Sequence, residues 1–211
     1  HIRGFDGIDI SFKCLKGKKL NHNQTYSLFI GAKKIEVKVL LFDCITNIEE
    51  GFATIKANEN LYTIFGEKIL LRNANDTICG GIVLNPIIDP MKKNQKRNLL
   101  EALNKKDFTN AYKELLEAHK KGLGIISSTQ RFALSHERAI EFANELENVF
   151  VDVKELVIYP METKDFIKDF IKEIYTKNTY ALLSNASINL RLKWASTAFI
   201  QSALDELVSE E

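Results

Sequence analysis

The hydrophobic period of this 211-residue chain changes once, near residue 90, and that change limits the folds open to it. Before it, apolar and polar residues alternate over 8–13. They do so again over 35–39, with Glu36 and Lys38 on one face and Ile35, Val37 and Val39 on the other. A period of two is that of a half-buried strand. Further strand candidates lie at 25–30, 51–57, 68–72 and 77–84. Between them stand turn-rich pieces: Gly17-Lys18, Gly31-Ala32, Asn58-Glu59-Asn60 and Asn73-Ala74-Asn75-Asp76. Short strands at this spacing, with no helix of useful length among them, predict a six-stranded antiparallel β-barrel.

After Asn85-Pro86 and Asp89-Pro90 the period becomes helical; proline lacks an N–H and so ends strand pairing. Helices are expected at 97–104 and 107–121. A short strand at 124–126, a helical turn at 128–133 and a helix from Ser135 to about 147 follow. A hairpin around Lys154 completes the element order of a winged helix. A similar cycle then restarts: an amphipathic helix at 163–177, a short strand at 181–183, a short helix at 187–191 and a last helix at 194–208. No wing hairpin follows. The expected organisation is thus mixed β then α, with a barrel over 1–90, a winged-helix domain over 91–160, and a second winged helix over 161–211 lacking its wing.

Hydrophobic content of 45% and charged content of 27% are globular values. No apolar run reaches the roughly 18–20 residues that span a bilayer, so no membrane role is expected. The first residue is His1, which reads as an excised fragment. Cys14, Cys44 and Cys79 are odd in number and never in CxxC spacing; this speaks against a disulfide framework or a zinc site and fits a reducing cytoplasm. The net charge of +1 divides evenly, with 11 Lys/Arg against 10 Asp/Glu up to Pro90 and 18 against 18 beyond it. Nucleic-acid binding would therefore need local patches.

One such patch is Lys92, Lys93, Lys96 and Arg97 at the start of the first helix, which reads either as a solvated linker or as a set of RNA phosphate-backbone contacts. Asn104-Lys105-Lys106-Asp107 spells the NKxD of guanine-binding GTPases, but the phosphate-cradling GxxxxGK[ST] loop is missing from the sequence, and Asp107 reads as a helix N-cap. His1, His22, His119 and His136 have no metal-ligand spacing, and no serine sits in G-x-S-x-G. No catalytic residue and no metal site are assigned, and an enzyme is not expected. Glu137, Arg138, Glu141, Asn144 and Glu145 make the outer face of the helix after Ser135 acidic on balance, which suits a spacer or protein-docking module better than a helix reading base edges.

Gly66-Glu67-Lys68-Ile69-Leu70-Leu71-Arg72, a turn, and Thr77-Ile78-Cys79-Gly80-Gly81-Ile82-Val83 resemble the last barrel domain of the elongation factor Tu superfamily. There a G-x-x-apolar-x-apolar-R strand leads through a tight turn into a closing T-apolar-G-x-G-x-apolar strand. Cys79 stands where the family has its first glycine, while Gly81 matches the second. Within the superfamily, residues 77–86, the segment 24–32 and the strand after it resemble the selenocysteine-specific elongation factors, whose barrel continues into winged helices. The resemblance implies a part of a factor that carries selenocysteinyl-tRNA to a recoded UGA on the ribosome, and a cytoplasmic protein. Gln24, Arg72, Asn73 and Ala74 would then face the T-arm backbone, although Arg72 reads equally as a structural arginine closing the barrel. GTP and Mg2+ would be bound by a domain of the parent protein outside this sequence, and the mRNA hairpin by distal modules also outside it. Two other readings stand beside this one: a protein-docking adaptor built of barrel and winged helices, or the barrel end of another translation GTPase.

Overall fold

The computed structural model describes residues 2–43 and 46–209; His1 and Cys44 lie outside the described residues. Six strands close into one antiparallel barrel in the order β1-β6-β4-β3-β7-β8. They are β1 (Phe5–Cys14), β3 (Gln24–Ile30), β4 (Lys33–Leu41), β6 (Glu50–Leu61), β7 (Lys68–Arg72) and β8 (Thr77–Asn85). Two short strands, β2 (Leu20–Asn21) and β5 (Asn47–Ile48), pair with each other beside it. The period-two pattern explains the barrel directly. Ile8, Ile10, Leu28, Val37, Val39, Ile55 and Leu71 all point inward and are essentially fully buried, while their neighbours Lys13, Lys34, Glu36, Lys38 and Lys56 face out.

β8 departs from strict alternation, with both Ile78 and Cys79 buried. Cys79 belongs to the barrel core, so a side chain is packed at this position of the closing strand. Gly81 is different. A Cβ there would stand 2.5 Å from the carbonyl oxygen of Ser11 on β1, so any side chain would push the closing strand away.

After the barrel come α1 (Lys93–Asn104), α2 (Phe108–Ala118), β9 (Leu123–Gly124), α3 (Ser127–Arg131), α4 (His136–Glu145), and the hairpin β10 (Val149–Asp152) and β11 (Val157–Pro160). This is the expected order of helix, strand, short helix, helix and hairpin. Then follow α5 (Thr163–Lys177), α6 (Asn185–Arg191) and α7 (Thr197–Ser209). The strand expected at 181–183 does not form; Leu182 is 97% exposed and the segment pairs with no strand among the described residues. Three apolar-leaning residues make a strand only when an edge is within reach of their N–H and C=O groups. Instead Ser184 caps α6, its hydroxyl accepting from the Ser187 N–H.

The chain divides into two compact units, one of residues 1–114 and 128–135 and the other of 115–127 and 136–211. In the first, the segment 128–135 is fastened to the barrel. Arg131 makes a buried, two-pronged ion pair with Asp89 at 2.6 and 2.8 Å. The Gln130 amide accepts from the Arg3 N–H and donates to the carbonyls of Arg3 and Thr63. Phe65, Phe108, Phe132 and Tyr112 form a chain of ring contacts at 5.4, 5.0 and 4.8 Å between centroids.

The second unit packs the hairpin against α5, α6 and α7 around Tyr159, Ile167, Ile171, Ile188, Phe199, Ile200 and Ala203. Tyr159 lies flat on Phe199 with centroids 4.3 Å apart. Its hydroxyl donates to the Trp194 carbonyl at 3.1 Å and accepts from the Ser196 N–H at 2.9 Å. Tyr159→Phe keeps the stacking but orphans a buried N–H, and is expected to destabilise this unit by about 1–3 kcal/mol in urea unfolding.

Candidate functional site

The residues singled out in the barrel gather at one of its ends. β7 and β3 run antiparallel with Ser27 opposite Arg72, which brings the turn after Arg72 level with the start of β3 at Gln24. The turn is internally braced. The Asn73 side-chain oxygen accepts from the N–H groups of Asn75 (3.1 Å) and Asp76 (2.7 Å), and the Asn73 N–H donates to the Asp76 carbonyl. A register shift between Leu71 and Arg72 re-aims the arginine as the strand enters the turn. Gln24, Asn73 and Ala74 are exposed; Gln24 accepts a hydrogen bond from Asn21, 3.1 Å away.

Arg72 is the unusual member of the group. Its guanidinium lies over the ring of Phe29 at 5.6 Å, and its Nε is buried with no hydrogen-bond partner. Lys34, directly across the β3–β4 ladder from Phe29, places its ammonium over the same ring at 6.0 Å. One aromatic ring thus holds two cations beside an exposed turn. Lys18 adds a third cation, donating to Asp76 at 2.6 Å. That hydrogen bond, with the charge of Lys18 behind it, draws the Asp76 carboxyl below its ordinary range. Phe29, Lys34 and Lys18 carry no motif. Only the Phe29–Lys34 cross-strand pairing, implicit in a tight Gly31-Ala32 turn, could have been read beforehand.

The basic stretch behaves differently. Lys96 reaches into the barrel wall, its ammonium 2.7 Å from the Asp9 carboxylate and 3.1 Å from the Thr54 hydroxyl. Asp9 is fully buried and also accepts from Thr54 (2.6 Å) and Asn85 (3.0 Å). Lys96 therefore pins α1 to the barrel. Lys93 and Arg97 both lie over Phe42, at 5.7 and 5.5 Å, and Arg97 pairs with Asp43 at 2.5 Å. Lys92 is exposed at the helix start. Four cations adjacent in sequence are thus divided between an internal anchor and a surface cluster.

Asp107 of the NKxD tetrapeptide caps α2, accepting from the N–H and side-chain amide of Asn110 at 3.1 and 2.6 Å. These bonds hold its carboxyl below the usual range. On α4, Arg138 bridges Glu141 and Glu145, so part of the acidic face is neutralised internally. Among the described residues no group of three His, Cys, Asp or Glu side chains could hold a metal ion, and no helix is long and apolar enough to cross a membrane.

No protein-family model matches the sequence, and no curated protein matches it. The structure is similar to the crystal structure of a bacterial selenocysteine-specific elongation factor, EF-Sec, with a TM-score of 0.64 and 16% sequence identity. The likeness covers 98% of this chain and 32% of that one, so the chain spans about a third of the protein it matches. At this identity the two share a fold: a closed six-stranded barrel followed by several helices.

Two outcomes follow from the geometry. Lys96→Ala strands the buried Asp9 carboxylate and is expected to cost about 3–5 kcal/mol of stability in urea unfolding. Lys18→Met removes the donor to Asp76, and the Asp76 carboxyl, followed by NMR titration, is expected to titrate at higher pH, back in the ordinary carboxylate range.

Proposed function

We propose that this chain is a tRNA-holding barrel with winged-helix connectors from a selenocysteine-specific translation elongation factor. The observation that carries the reading is Arg72: a cation held on an aromatic face beside an exposed, braced turn. An RNA phosphate is an acceptor of matching charge and geometry. Lys34 on the same ring, and Gln24, Asn73 and Ala74 around the turn, extend the surface to a stretch of backbone. A near-neutral chain can bind RNA this way, because the contact is a local patch. The fold likeness along nearly the whole chain supports the same reading.

In this proposal the chain performs no catalysis itself. GTP and Mg2+ are bound, and the ribosome is engaged, with parts of the factor outside this sequence, and the mRNA hairpin is held by distal modules. Lys92, Lys93 and Arg97 offer a second, weaker RNA-backbone contact; Lys96 is committed to Asp9. A protein-docking role is the second reading. It draws support from the outer barrel face, where Phe29, Phe52, Leu70 and Ile82 line an open groove of about 940 Å³.

The test is binding of the full chain to a selenocysteine tRNA transcript across a range of salt concentrations. Weak, salt-sensitive binding is expected. Arg72→Ala is expected to weaken it and to reduce the slope of log K against log salt by about 0.7–0.9, the value of one phosphate contact. Equal binding by Arg72→Ala would remove the turn from the tRNA interface. Tight binding of a selenocysteine mRNA hairpin by residues 91–211 would overturn the connector role.

A further inference from the structure

Cys14 and Cys79 are far apart in the sequence and stand directly opposite each other where β1 meets β8. The backbone bonds on either side define how they meet. The N–H of Leu15 donates to the carbonyl of Ile78 across the β1–β8 ladder, whereas the N–H of Cys14 points the other way, to the carbonyl of Glu49. Hydrogen-bonded and non-hydrogen-bonded pairs alternate along an antiparallel ladder, so Cys14 and Cys79 form a non-hydrogen-bonded pair. In such a pair the Cα atoms are about 4.5 Å apart and the side chains stand closer than in the alternate pairs. That separation falls within the roughly 4.4–6.8 Å that disulfides span. The Cys14 thiol donates to the Ile48 carbonyl at 3.8 Å, a weak bond that its rotation toward Cys79 would give up. Both cysteines point to the core side of the sheet: Cys79 is fully buried within the barrel, and Cys14 is half-buried and packed against its core.

We infer that Cys14 and Cys79 are a modification site, a thiol pair that a peroxide converts to a cross-strand disulfide joining the first and last strands of the barrel. The partly exposed Cys14 reacts first. Its sulfur, having given up its proton, attacks one peroxide oxygen; the O–O bond breaks and the departing hydroxide leaves as water, giving Cys14 sulfenic acid. The Cys79 sulfur then attacks the Cys14 sulfur. The S–O bond breaks, and the leaving hydroxide takes the Cys79 proton as a second water. Two thiols are oxidised by two electrons, and one peroxide is reduced to two waters. Burial raises both thiols above their ordinary range, so few are thiolate at neutral pH and the reaction is slow unless peroxide is abundant. The product closes the barrel covalently at its seam, where β8 carries on from the Arg72–Asp76 turn. The inference is independent of any RNA contact at that turn.

The experiment exposes the full chain to graded hydrogen peroxide, alkylates remaining thiols under denaturing conditions and maps the peptides by mass spectrometry. The expected product joins the Cys14 and Cys79 peptides, lacks two hydrogens, leaves Cys44 alkylated and is undone by dithiothreitol. The oxidised chain is expected to melt about 5 °C or more above the reduced one, since a cross-link closing a long loop constrains the unfolded chain. Cys14→Ser, a change at a half-buried position, is expected to abolish both the link and the rise in melting temperature. Three results would overturn the inference: Cys14 and Cys79 still alkylated at peroxide levels that oxidise Cys44, Cys14 carried on to sulfinic acid with Cys79 free, or the same rise in melting temperature in Cys14→Ser. The map of the unsubstituted chain decides the matter even where the variant fails to fold.

Discussion

The close approach of β8 to β1 is the constraint on which the rest of the first unit depends. Gly81 permits it, because the space a Cβ would occupy lies against the Ser11 carbonyl. With that seam shut, the register of β8 is set from Cys79 opposite Cys14 to Val83 opposite Ile10, and a shift beyond it brings Asn85 opposite Asp9. The same closure places Asn85 beside the buried Asp9, where Lys96 and Thr54 complete its hydrogen bonding. It also fixes where the preceding turn projects Arg72. A slip of one residue would turn Cys79 and Val83 outward and disperse both the anchor and the turn.

Two polar devices of different cost organise this unit. The Asp9–Lys96 and Asp89–Arg131 pairs are buried, and each charge is repaid by close, well-aligned partners. They fix where helical segments meet the barrel. The surface around Arg72 is arranged in the opposite way: its charges rest on an aromatic ring, and a buried N–H is left without an acceptor. An unsatisfied buried donor is costly to the isolated protein, whereas the exposed turn beside it keeps its outer edge open. That contrast separates cations that hold the fold from cations available to a ligand.

Much of the barrel was legible in the sequence, because alternation at period two depends only on which face of each strand is buried. The six strands, their turns and the change to helices after Pro90 all follow from it. The Asp107 cap and the helix–strand–helix–hairpin order were legible for a similar reason, since caps and periods are local. The short strand expected at 181–183 failed because a strand is not local: it needs an edge to pair with. The sharing of one core by the hairpin and α5–α7 was likewise invisible, since a period shows that a helix has a buried face and not what covers it.

The candidate site divides along the same line. Sequence alone determined that Arg72 ends a strand and that Gln24, Asn73 and Ala74 lie in or beside exposed turns, because strand ends and turn residues declare themselves within a few positions. It also determined that Lys92, Lys93, Lys96 and Arg97 open a helix. Only the tertiary structure decided that Lys96 turns inward to Asp9 while Arg97 stays outside with Asp43. Only the closed barrel set Phe29 beneath Arg72, and Cys14 against Cys79. The physical reason is that each of these contacts joins residues on different strands or helices. Their distance is settled by strand register and barrel closure, which no local pattern of residues contains.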